Sequence, residues 1–189
     1  MQQPVASPTG MSNDLPEPST PCPPEQQSDP SQRIVLAVGL PASGKSTWFR
    51  NHGITPLSSD QLRLLLVDDE EEQGFQMQVF QALHDLLRMR LDLGRPLTYV
   101  DATNFLREFR RSFLDIARER GCAPEALFFD VPLEVCLARN GARTRRVPED
   151  VLRAMSGRLE PPSIEEGFRR IVVIGEQGET LRELCGETP

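Results

Sequence analysis

A glycine-rich stretch, GLPASGKST at 39–47, constrains the fold of this chain more than any other segment. It directly follows the apolar run at 34–38, whose length and branched side chains are typical of a buried strand. The residues after it, from Trp48, open a helix. A strand, a glycine-rich loop with GxxxxGKS spacing and a helix are the context in which a phosphate-binding loop, or P-loop, forms. The alternative is a glycine-rich turn that binds no ligand.

Each part of this loop has a chemical role. Glycines allow backbone N–H groups to turn toward phosphate oxygens, and the following helix N-terminus adds partial positive charge. Lys45 would neutralise the β- and γ-phosphates of ATP, and the Ser46 hydroxyl would ligate Mg²⁺. Lys45 is also the only lysine of the chain, which indicates a place where arginine does not easily replace a compact ammonium. The predicted ATP-binding residues of the loop are Gly39, Pro41, Ala42, Ser43, Gly44, Lys45, Ser46 and Thr47.

Composition separates an N-terminal tail from the rest of the chain. Residues 1–32 hold eight of the 17 prolines, and their four acidic residues have no basic counterpart. Such a segment buries too little apolar surface to offset its ordering entropy, so we predict a disordered tail. A linker or docking arm for an unidentified partner is the alternative. We expect residues 33–189 to form one domain.

Charge, cysteine content and hydropathy limit the partners and the cellular compartment that we expect for this chain. The net charge is −7, so a nucleic-acid partner would have to bind a local basic patch. The four cysteines are far apart and lack metal-ligand spacing, which favours reduced thiols. No apolar run approaches the roughly 20 residues of a membrane span, and the N-terminus lacks a signal-peptide core. These features predict a soluble cytoplasmic protein without a membrane partner.

Alternating strands and helices predict an α/β fold. Further strands are expected at 54–58, 97–100, 126–131 and 170–174, and helices at 60–66, 73–93, 105–120, 132–139, from 148 onward and at the C-terminus. Strands separated by helices imply a mostly parallel sheet covered on both faces. Ligands of such sheets bind beyond the carboxyl ends of the strands, where the P-loop, Asp60 and Asp101 fall.

Phosphoryl transfer to a hydroxyl also needs a group that orients or deprotonates that hydroxyl. His52 and His84 fall within helices away from the strand ends, so Asp60 and Asp101 are the candidates. A carboxylate near its ordinary pKa can orient a hydroxyl and accept its proton late in a loose transition state. The alternative for Asp60 is a helix N-cap, a role that Ser58 or Ser59 could also fill.

Four arginines within eight residues follow the fourth strand. Arg139 and Arg143 are spaced i, i+4 and so project from one side of a helical turn, and Arg145 and Arg146 follow. Lying before a proline-started helix, the cluster suits a mobile lid, about 139–160, that closes over phosphates. The alternative is an ordinary solvated face.

These motifs together resemble those of the P-loop polynucleotide 5′-kinases, which include the kinase modules of phage and bacterial end-healing RNA repair enzymes. The likeness covers residues 33–175. It rests on GLPASGKST at 39–47, SSDQLR at 58–63, DATN at 101–104, RNGAR at 139–143, VPEDVL at 147–152 and EGF at 166–168. The resemblance implies a P-loop kinase fold in residues 33–189, with a mostly parallel sheet and an arginine-rich lid.

The resemblance also implies a catalytic set. Asp60 would be the general base on the acceptor hydroxyl, and Arg63 would contact the acceptor or its neighbouring phosphate. Lys45, Arg139 and Arg143 would hold the donor phosphates and stabilise the transition state, which adds both arginines to the predicted ATP-binding residues.

The implied acceptor site consists of Asp60, Arg63, Asp101, Thr103 and Asn104. The last three would line the site near Mg²⁺ or the acceptor. The resulting hypothesis is an ATP- and Mg²⁺-dependent kinase of the 5′-hydroxyl end of RNA or DNA. One alternative is a kinase of a small hydroxylated metabolite, antibiotic or nucleotide sugar. Another is an ATP-binding switch protein that recruits a partner through its proline-rich tail.

Overall fold

The computed structural model describes residues 31–69, 72 and 74–186. The predicted disordered tail therefore lies outside the described residues, except for its last two. The strands are β1 (Arg33–Val38), β2 (Leu57–Ser58), β3 (Leu97–Asp101), β4 (Ala123–Phe129), β5 (Arg170–Ile174) and β6 (Thr180–Cys185). They form one sheet in the order β2-β3-β1-β4-β5-β6, in which the first five strands of the chain run parallel.

Six α-helices within the described residues cover this sheet, and a 3₁₀ turn at Ile164–Glu166 follows the last of them. They are α1 (Lys45–Asn51), α2 (Ser59–Val67), α3 (Gln76–Asp92), α4 (Arg107–Glu119), α5 (Leu133–Gly141) and α6 (Glu149–Arg158). Helices α2, α3 and α4 pack on one face of the sheet, and α1, α5 and α6 pack on the other. The predicted α/β fold with a mostly parallel, helix-flanked sheet is thus confirmed. Among the described residues, no helix combines the length and the apolar character that crossing a membrane requires.

Strand β1 lies at the centre of the sheet between β3 and β4. Its apolar run supplies both cores, because successive side chains of a strand point to opposite faces. Leu36 and Val38 enter the core beneath α3 and α4, whereas Val35 and Ala37 enter the core beneath α1 and α6. This burial fixes the carboxyl end of β1, from which the P-loop begins.

The predicted C-terminal helix is wrong. Residues 180–185 instead form β6, which pairs antiparallel with β5 and closes that edge of the sheet. A tight turn returns the chain: the Gly175 N–H donates to the Glu179 carbonyl at 2.8 Å, and Gly178 has a φ of +88°. The free backbone edge of β5 outweighs the weak helical preference of this segment. Cys185 at the end of β6 is disulfide-bonded, so the expectation of reduced thiols is wrong there.

A buried ion pair joins α4 to the segment that follows α6. Arg110 and Glu166 have side chains only 0% and 1% exposed, and they form two hydrogen bonds, of 2.8 and 2.7 Å. Arg110 also donates to the carbonyl oxygens of Asn104 and Glu160, each at 2.9 Å. One guanidinium therefore fastens the segment after β3 to the end of the lid region.

Arg110→Ala is expected to lower the free energy of unfolding by about 3–5 kcal/mol, because it leaves the Glu166 carboxylate buried without its partner. Arg111→Ala is the matched control: this neighbouring arginine is exposed, and its loss should change stability by less than about 0.5 kcal/mol. Denaturant titration of both variants measures the difference. Equal unfolding midpoints would contradict the assignment of Arg110 as a structural clamp.

Candidate active site

The P-loop connects β1 to α1 through residues that adopt positive φ angles. Gly39 has a φ of +150°, and a Cβ there would lie 3.0 Å from both the Cβ and the carbonyl oxygen of Phe129. Gly44, which precedes α1, has a φ of +104°, and Ala42 between them has a φ of +61°. Glycine is required at 39 because no side chain fits, and it is favoured at 44 because its backbone is left-handed.

Lys45 is folded back onto the loop from which it projects. Its ammonium donates to the carbonyl oxygens of Gly39 and Leu40 at 2.9 and 2.7 Å, and its Nζ lies 3.5 Å from the Ser43 hydroxyl. Burial lowers the pKa of Lys45 to about 8, although the negative charge of Asp101 opposes this shift. Burial therefore disfavours the charged form of Lys45 unless an anion binds beside it.

Ser46 and Asp101 meet beside Lys45. The Ser46 hydroxyl donates to Asp101 Oδ2 at 2.7 Å, which brings the start of α1 to the carboxyl end of β3. Burial raises the pKa of the Asp101 carboxyl, while Lys45 and the Ser46 hydrogen bond counteract that rise. A hydroxyl and a carboxylate are hard oxygen ligands of the kind that Mg²⁺ uses together with phosphate oxygens and water. The pair therefore fits the predicted metal position.

Asp60 lies in the first turn of α2, and it is not the helix cap. Ser58 is the N-cap and accepts a hydrogen bond from the Gln61 N–H at 3.5 Å. The Asp60 side chain is 55% exposed. Its charge acts on both Lys45 and Asp101, so the carboxylate lies near the P-loop. The capping alternative for Asp60 is thereby removed.

Arg63 binds Asp60 from one turn further along α2. Its Nη1 donates to Asp60 Oδ1 at 2.9 Å and its Nη2 donates to Gln76 Oε1 at 2.6 Å. The Arg63 side chain is only 4% exposed. No motif of the sequence points to Gln76, which reaches this site from the first turn of α3. Asp60 is thus held in place by a buried guanidinium that is itself anchored to a second helix.

The loop between α5 and α6 approaches Asp60 from the opposite side. Arg145 Nη1 lies 3.4 Å from Asp60 Oδ1. The loop is closed by Asn140, which is 3% exposed. Its amide donates to the Val147 carbonyl at 2.7 Å and accepts from the Val147 N–H at 3.0 Å. One buried side chain therefore joins the two ends of the arginine-rich segment.

Arg139 and Arg143 lie on the P-loop side of this segment. Arg139 donates to the Ser43 carbonyl at 3.5 Å and to the Glu176 carbonyl, in the β5–β6 turn, at 2.8 Å. Arg143 is exposed, and its positive charge further lowers the pKa of Lys45. Arg139 thus contacts the P-loop, whereas Arg143 lies beyond the end of α5, so the expected helical i, i+4 relation does not include it.

Thr103 and Asn104 support the loop from beneath. The Gly39 N–H donates to the Thr103 carbonyl at 3.2 Å, and the Asn104 amide donates to the Ala37 carbonyl at 3.0 Å. Asn104 is 1% exposed and has a φ of +47°. Its side chain is therefore enclosed behind the P-loop, whereas the sequence predicts that it lines the acceptor site.

The two histidines lie outside this cluster. His52 stacks on Trp48 with ring centroids 3.9 Å apart, and His84 pairs with the Ser112 hydroxyl at 2.9 Å. The cluster thus combines a phosphate cradle, a hydroxyl–carboxylate pair suited to Mg²⁺, and an exposed carboxylate between two arginines.

Comparison with known proteins identifies the family. Residues 34–162 match the family model AAA_33, which is described as an AAA domain, and this range covers more than half of the chain. The chain belongs to the AAA_33 family. The matched range of this AAA_33 protein includes the P-loop, Asp60, Asp101 and the arginine-rich segment.

A curated relative and two solved structures are similar to parts of this chain. Human L-seryl-tRNA(Sec) kinase is 34% identical over 88 residues, which are 46% of this chain and 25% of the human protein. The chain thus spans about a quarter of the length of that relative. A putative kinase from Chloroflexus aurantiacus has the same fold, with a TM-score of 0.59 and 18% identity over 77% of this chain and 88% of the other.

A structure of the Pnkp1/Rnl/Hen1 RNA repair complex contains a similar chain. It matches with a TM-score of 0.56 and 16% identity over 71% of this chain and 46% of the other. The fold of this AAA_33 protein is thus shared with solved P-loop kinases. P-loops of such proteins typically bind a nucleoside triphosphate together with Mg²⁺.

Proposed function

We propose that this protein transfers the γ-phosphate of ATP to the 5′-hydroxyl end of RNA or DNA. The observation that carries the proposal is the exposed carboxylate of Asp60, which contacts two arginines and whose charge acts on Lys45 of the P-loop. Its carboxylate is 55% exposed and lies 2.9 Å from Arg63 and 3.4 Å from Arg145. A carboxylate with adjacent cations suits an acceptor that presents a hydroxyl next to an anionic group.

On the donor side, the P-loop backbone and Lys45 would hold the β- and γ-phosphates of ATP. Ser46 and Asp101 would hold Mg²⁺, which when bound would neutralise negative charge on the phosphates. Arg139 and Arg143 would meet the charge that develops as the phosphoryl group moves. Preorganised cations of this kind usually contribute the largest part of the catalysis.

On the acceptor side, Asp60 would orient the hydroxyl and accept its proton. The acceptor oxygen forms a bond to the γ-phosphorus while the bond from that phosphorus to the bridging oxygen breaks, and ADP leaves. Because such transition states are loose, the proton moves late in the transfer step. Arg63 would act through Asp60 as a positioning residue.

The partial relatives lend support to a nucleic-acid acceptor. By its name, the human relative is a kinase of a seryl-tRNA, an acceptor that contains RNA. The acidic net charge of the chain does not oppose this acceptor, because Arg145 contacts Asp60 and belongs to the same arginine-rich segment as Arg143 and Arg146.

An acceptor panel tests the proposal. ADP formation would be measured with 5′-hydroxyl oligonucleotides of RNA and DNA, with the same oligonucleotides carrying a 5′-phosphate, and with small alcohols that include sugars and nucleosides. We expect turnover with the 5′-hydroxyl oligonucleotides alone. Turnover confined to a small alcohol would establish the metabolite-kinase alternative, and ATP binding without turnover on any acceptor would favour the switch.

The depressed pKa of Lys45 predicts how ATP affinity depends on pH. Below about pH 8 the ammonium is already charged, whereas above it the free protein holds a neutral amine. ATP phosphates favour the charged form, so binding above pH 8 requires uptake of a proton. The apparent Kd for ATP should then rise by up to about tenfold per pH unit.

Isothermal titration calorimetry between pH 7 and pH 9.5, in buffers of different ionisation enthalpy, measures both the apparent Kd for ATP and the number of protons taken up on binding. We expect no proton uptake from Lys45 near pH 7 and close to one proton near pH 9. A Kd that stays constant over this range, without proton uptake, would contradict the lowered pKa of Lys45.

A further inference from the structure

We propose that a groove beside α1 binds the proline-rich tail of this same chain, and that a disulfide between Cys22 and Cys185 fastens the tail there. This docking is independent of the acceptor in the proposed function. Three features of the described domain point to it: the aromatic character of the groove, the place where the tail joins β1, and the disulfide of Cys185.

The groove crosses β1, β3, β4 and β5 on the face of the sheet that carries α1, α5 and α6, and its volume is about 220 Å³. Its apolar lining includes Val35, Leu97, Leu127, Val172, Trp48 and Tyr99. Pockets for small molecules usually enclose about 300–1,000 Å³. The groove therefore suits a few small side-chain rings better than a whole nucleotide.

Trp48 and Tyr99 give this groove the chemistry of a proline-binding surface. Both rings are only partly buried. Proline-rich segments dock on aromatic side chains because a polyproline II helix is preformed and loses little entropy on binding. The indole N–H and the phenol O–H can donate to the peptide carbonyls that such a helix leaves free. Neither donor has a hydrogen-bond partner within the part of the chain that the structure describes.

The tail joins the domain at the rim of the groove. The side-chain amide of Gln32 donates to the carbonyl oxygens of Leu91 and Arg95, at 2.9 and 3.1 Å, and so fixes the end of the tail. The next residue, Arg33, begins β1 and lines the groove. A segment with eight of the 17 prolines is therefore tethered next to an aromatic surface, which raises its effective concentration there.

Cys185 supplies a second anchor at the far side of the groove. It is disulfide-bonded, whereas Cys122 and Cys136 are free. Cys22 is the remaining cysteine of the sequence. Cys185 lies directly opposite Arg170 in the β5–β6 ladder, and residues in such positions share one face of the sheet. Because Arg170 lines the groove, a bond from Cys22 to Cys185 would bring the tail to this rim.

The chain between the two anchors is long enough to cross the groove. Strands β4 and β5 lie between β1 and β6, so the crossing covers about 15 Å at roughly 4.8 Å per strand. Residues 23–32 connect Cys22 to Arg33, and as a polyproline II helix they reach about 30 Å. The segment can thus follow the groove without strain, with Pro23 and Pro24 next to the disulfide.

The covalent anchor forms by thiol–disulfide exchange. The Cys22 and Cys185 thiols lose two electrons and two protons to a disulfide oxidant such as oxidised glutathione, which becomes two thiols. Reduction reverses the step and leaves the tail attached at β1 alone, where its greater freedom opposes docking. We therefore expect the tail to occupy the groove under oxidising conditions and to leave it under reducing ones.

Fluorescence of Trp48 tests the docking, because it is the only tryptophan of the chain and lies in the groove. Acrylamide quenching of the full chain is compared in oxidised and in reduced glutathione. One pH is used throughout, because His52 stacks on the indole. We expect a quenching constant about two- to threefold lower in the oxidised protein, since a docked segment removes much of the ring from solvent.

Cysteine variants separate the disulfide from other effects of oxidation. Cys22→Ser should show the higher quenching constant in both buffers. Cys122→Ser is the control, because this cysteine is free, and it should respond to glutathione like the unmodified protein. Peptide mapping without reduction should find Cys185 linked to Cys22. A disulfide from Cys185 to a second copy of the chain, or equal quenching of the unmodified protein in both buffers, would overturn the proposal.

Proline variants separate docking from tethering. Replacing both Pro23 and Pro24 by alanine should raise the quenching constant of the oxidised protein toward that of the reduced protein, with the disulfide intact. The matched control replaces Pro4 and Pro8, which lie far from Cys22 in sequence, and should change nothing. If both pairs leave quenching unaltered, the tail is tethered without binding the groove, and the proposal fails.

Discussion

Lys45→Ala is expected to abolish phosphoryl transfer, with kcat/KM reduced by at least about a thousandfold. The ammonium is the buried cation of the P-loop, held by the Gly39 and Leu40 carbonyls at 2.9 and 2.7 Å. Removing one preorganised donor from such a site costs about 10²–10³ in rate, and here the donor also carries charge. Lys45→Arg should also perform poorly, because a planar fork does not fit a loop built around an ammonium.

The control for this change is Arg50→Ala. Arg50 is an exposed basic residue in the last turn of the same helix. Steady-state kinetics and the rise in melting temperature on adding ATP would be measured for both variants. We expect Arg50→Ala to behave like the unmodified protein in both assays, and Lys45→Ala to lose turnover and the ATP-dependent rise. Undiminished turnover in Lys45→Ala would contradict the P-loop assignment.

Asp60→Asn is expected to lower kcat by about 10²–10⁴-fold, the range for loss of a general base. Affinity for ATP should remain close to that of the unmodified protein. The change is nearly isosteric, and an asparagine oxygen can still accept the hydrogen bond from Arg63. Ser58, not Asp60, caps α2, so the helix keeps its N-terminus. The effect therefore reports on chemistry and not on folding.

Asp85→Asn serves as the comparison, since Asp85 is 54% exposed on α3 and pairs with Arg88. Rapid-quench measurement of the transfer step, combined with ATP titration, would separate chemistry from binding. We expect the Asp85→Asn variant to bind ATP and transfer phosphate like the unmodified protein. We expect the Asp60→Asn variant to bind ATP without transferring phosphate. Near-normal transfer in Asp60→Asn would exclude Asp60 as the base.

The fold could be predicted from sequence where a local sequence pattern can be combined with a general rule of parallel-sheet geometry. The buried run of β1 and the glycine-rich loop after it are contiguous, and parallel sheets bring the carboxyl ends of their strands to one edge. These two facts suffice to place Lys45, Ser46, Asp60 and Asp101 together. The hydrogen bond of 2.7 Å between Ser46 and Asp101, 55 residues apart, is the clearest result of that reasoning.

Other features depend on tertiary context that no local pattern contains. Residues 180–185 form a strand because β5 offers an unpaired edge next to them. Phe109 remains 40% exposed although it is apolar and helical. The four arginines of the lid segment look alike in sequence. Only the closure of their loop by Asn140 directs Arg145 to Asp60, and only the packing of α2 against α3 buries Arg63.

The most direct test of the account is to locate the transferred phosphate. The protein would be incubated with ATP labelled in its γ-phosphate and a 5′-hydroxyl oligonucleotide, and the product digested to nucleoside 5′-monophosphates. We expect the label in the nucleoside 5′-monophosphate that comes from the first residue of the oligonucleotide. With the Asp60→Asn variant, this labelled product should be absent. Label found only in inorganic phosphate, or no transfer to the oligonucleotide at all, would contradict it.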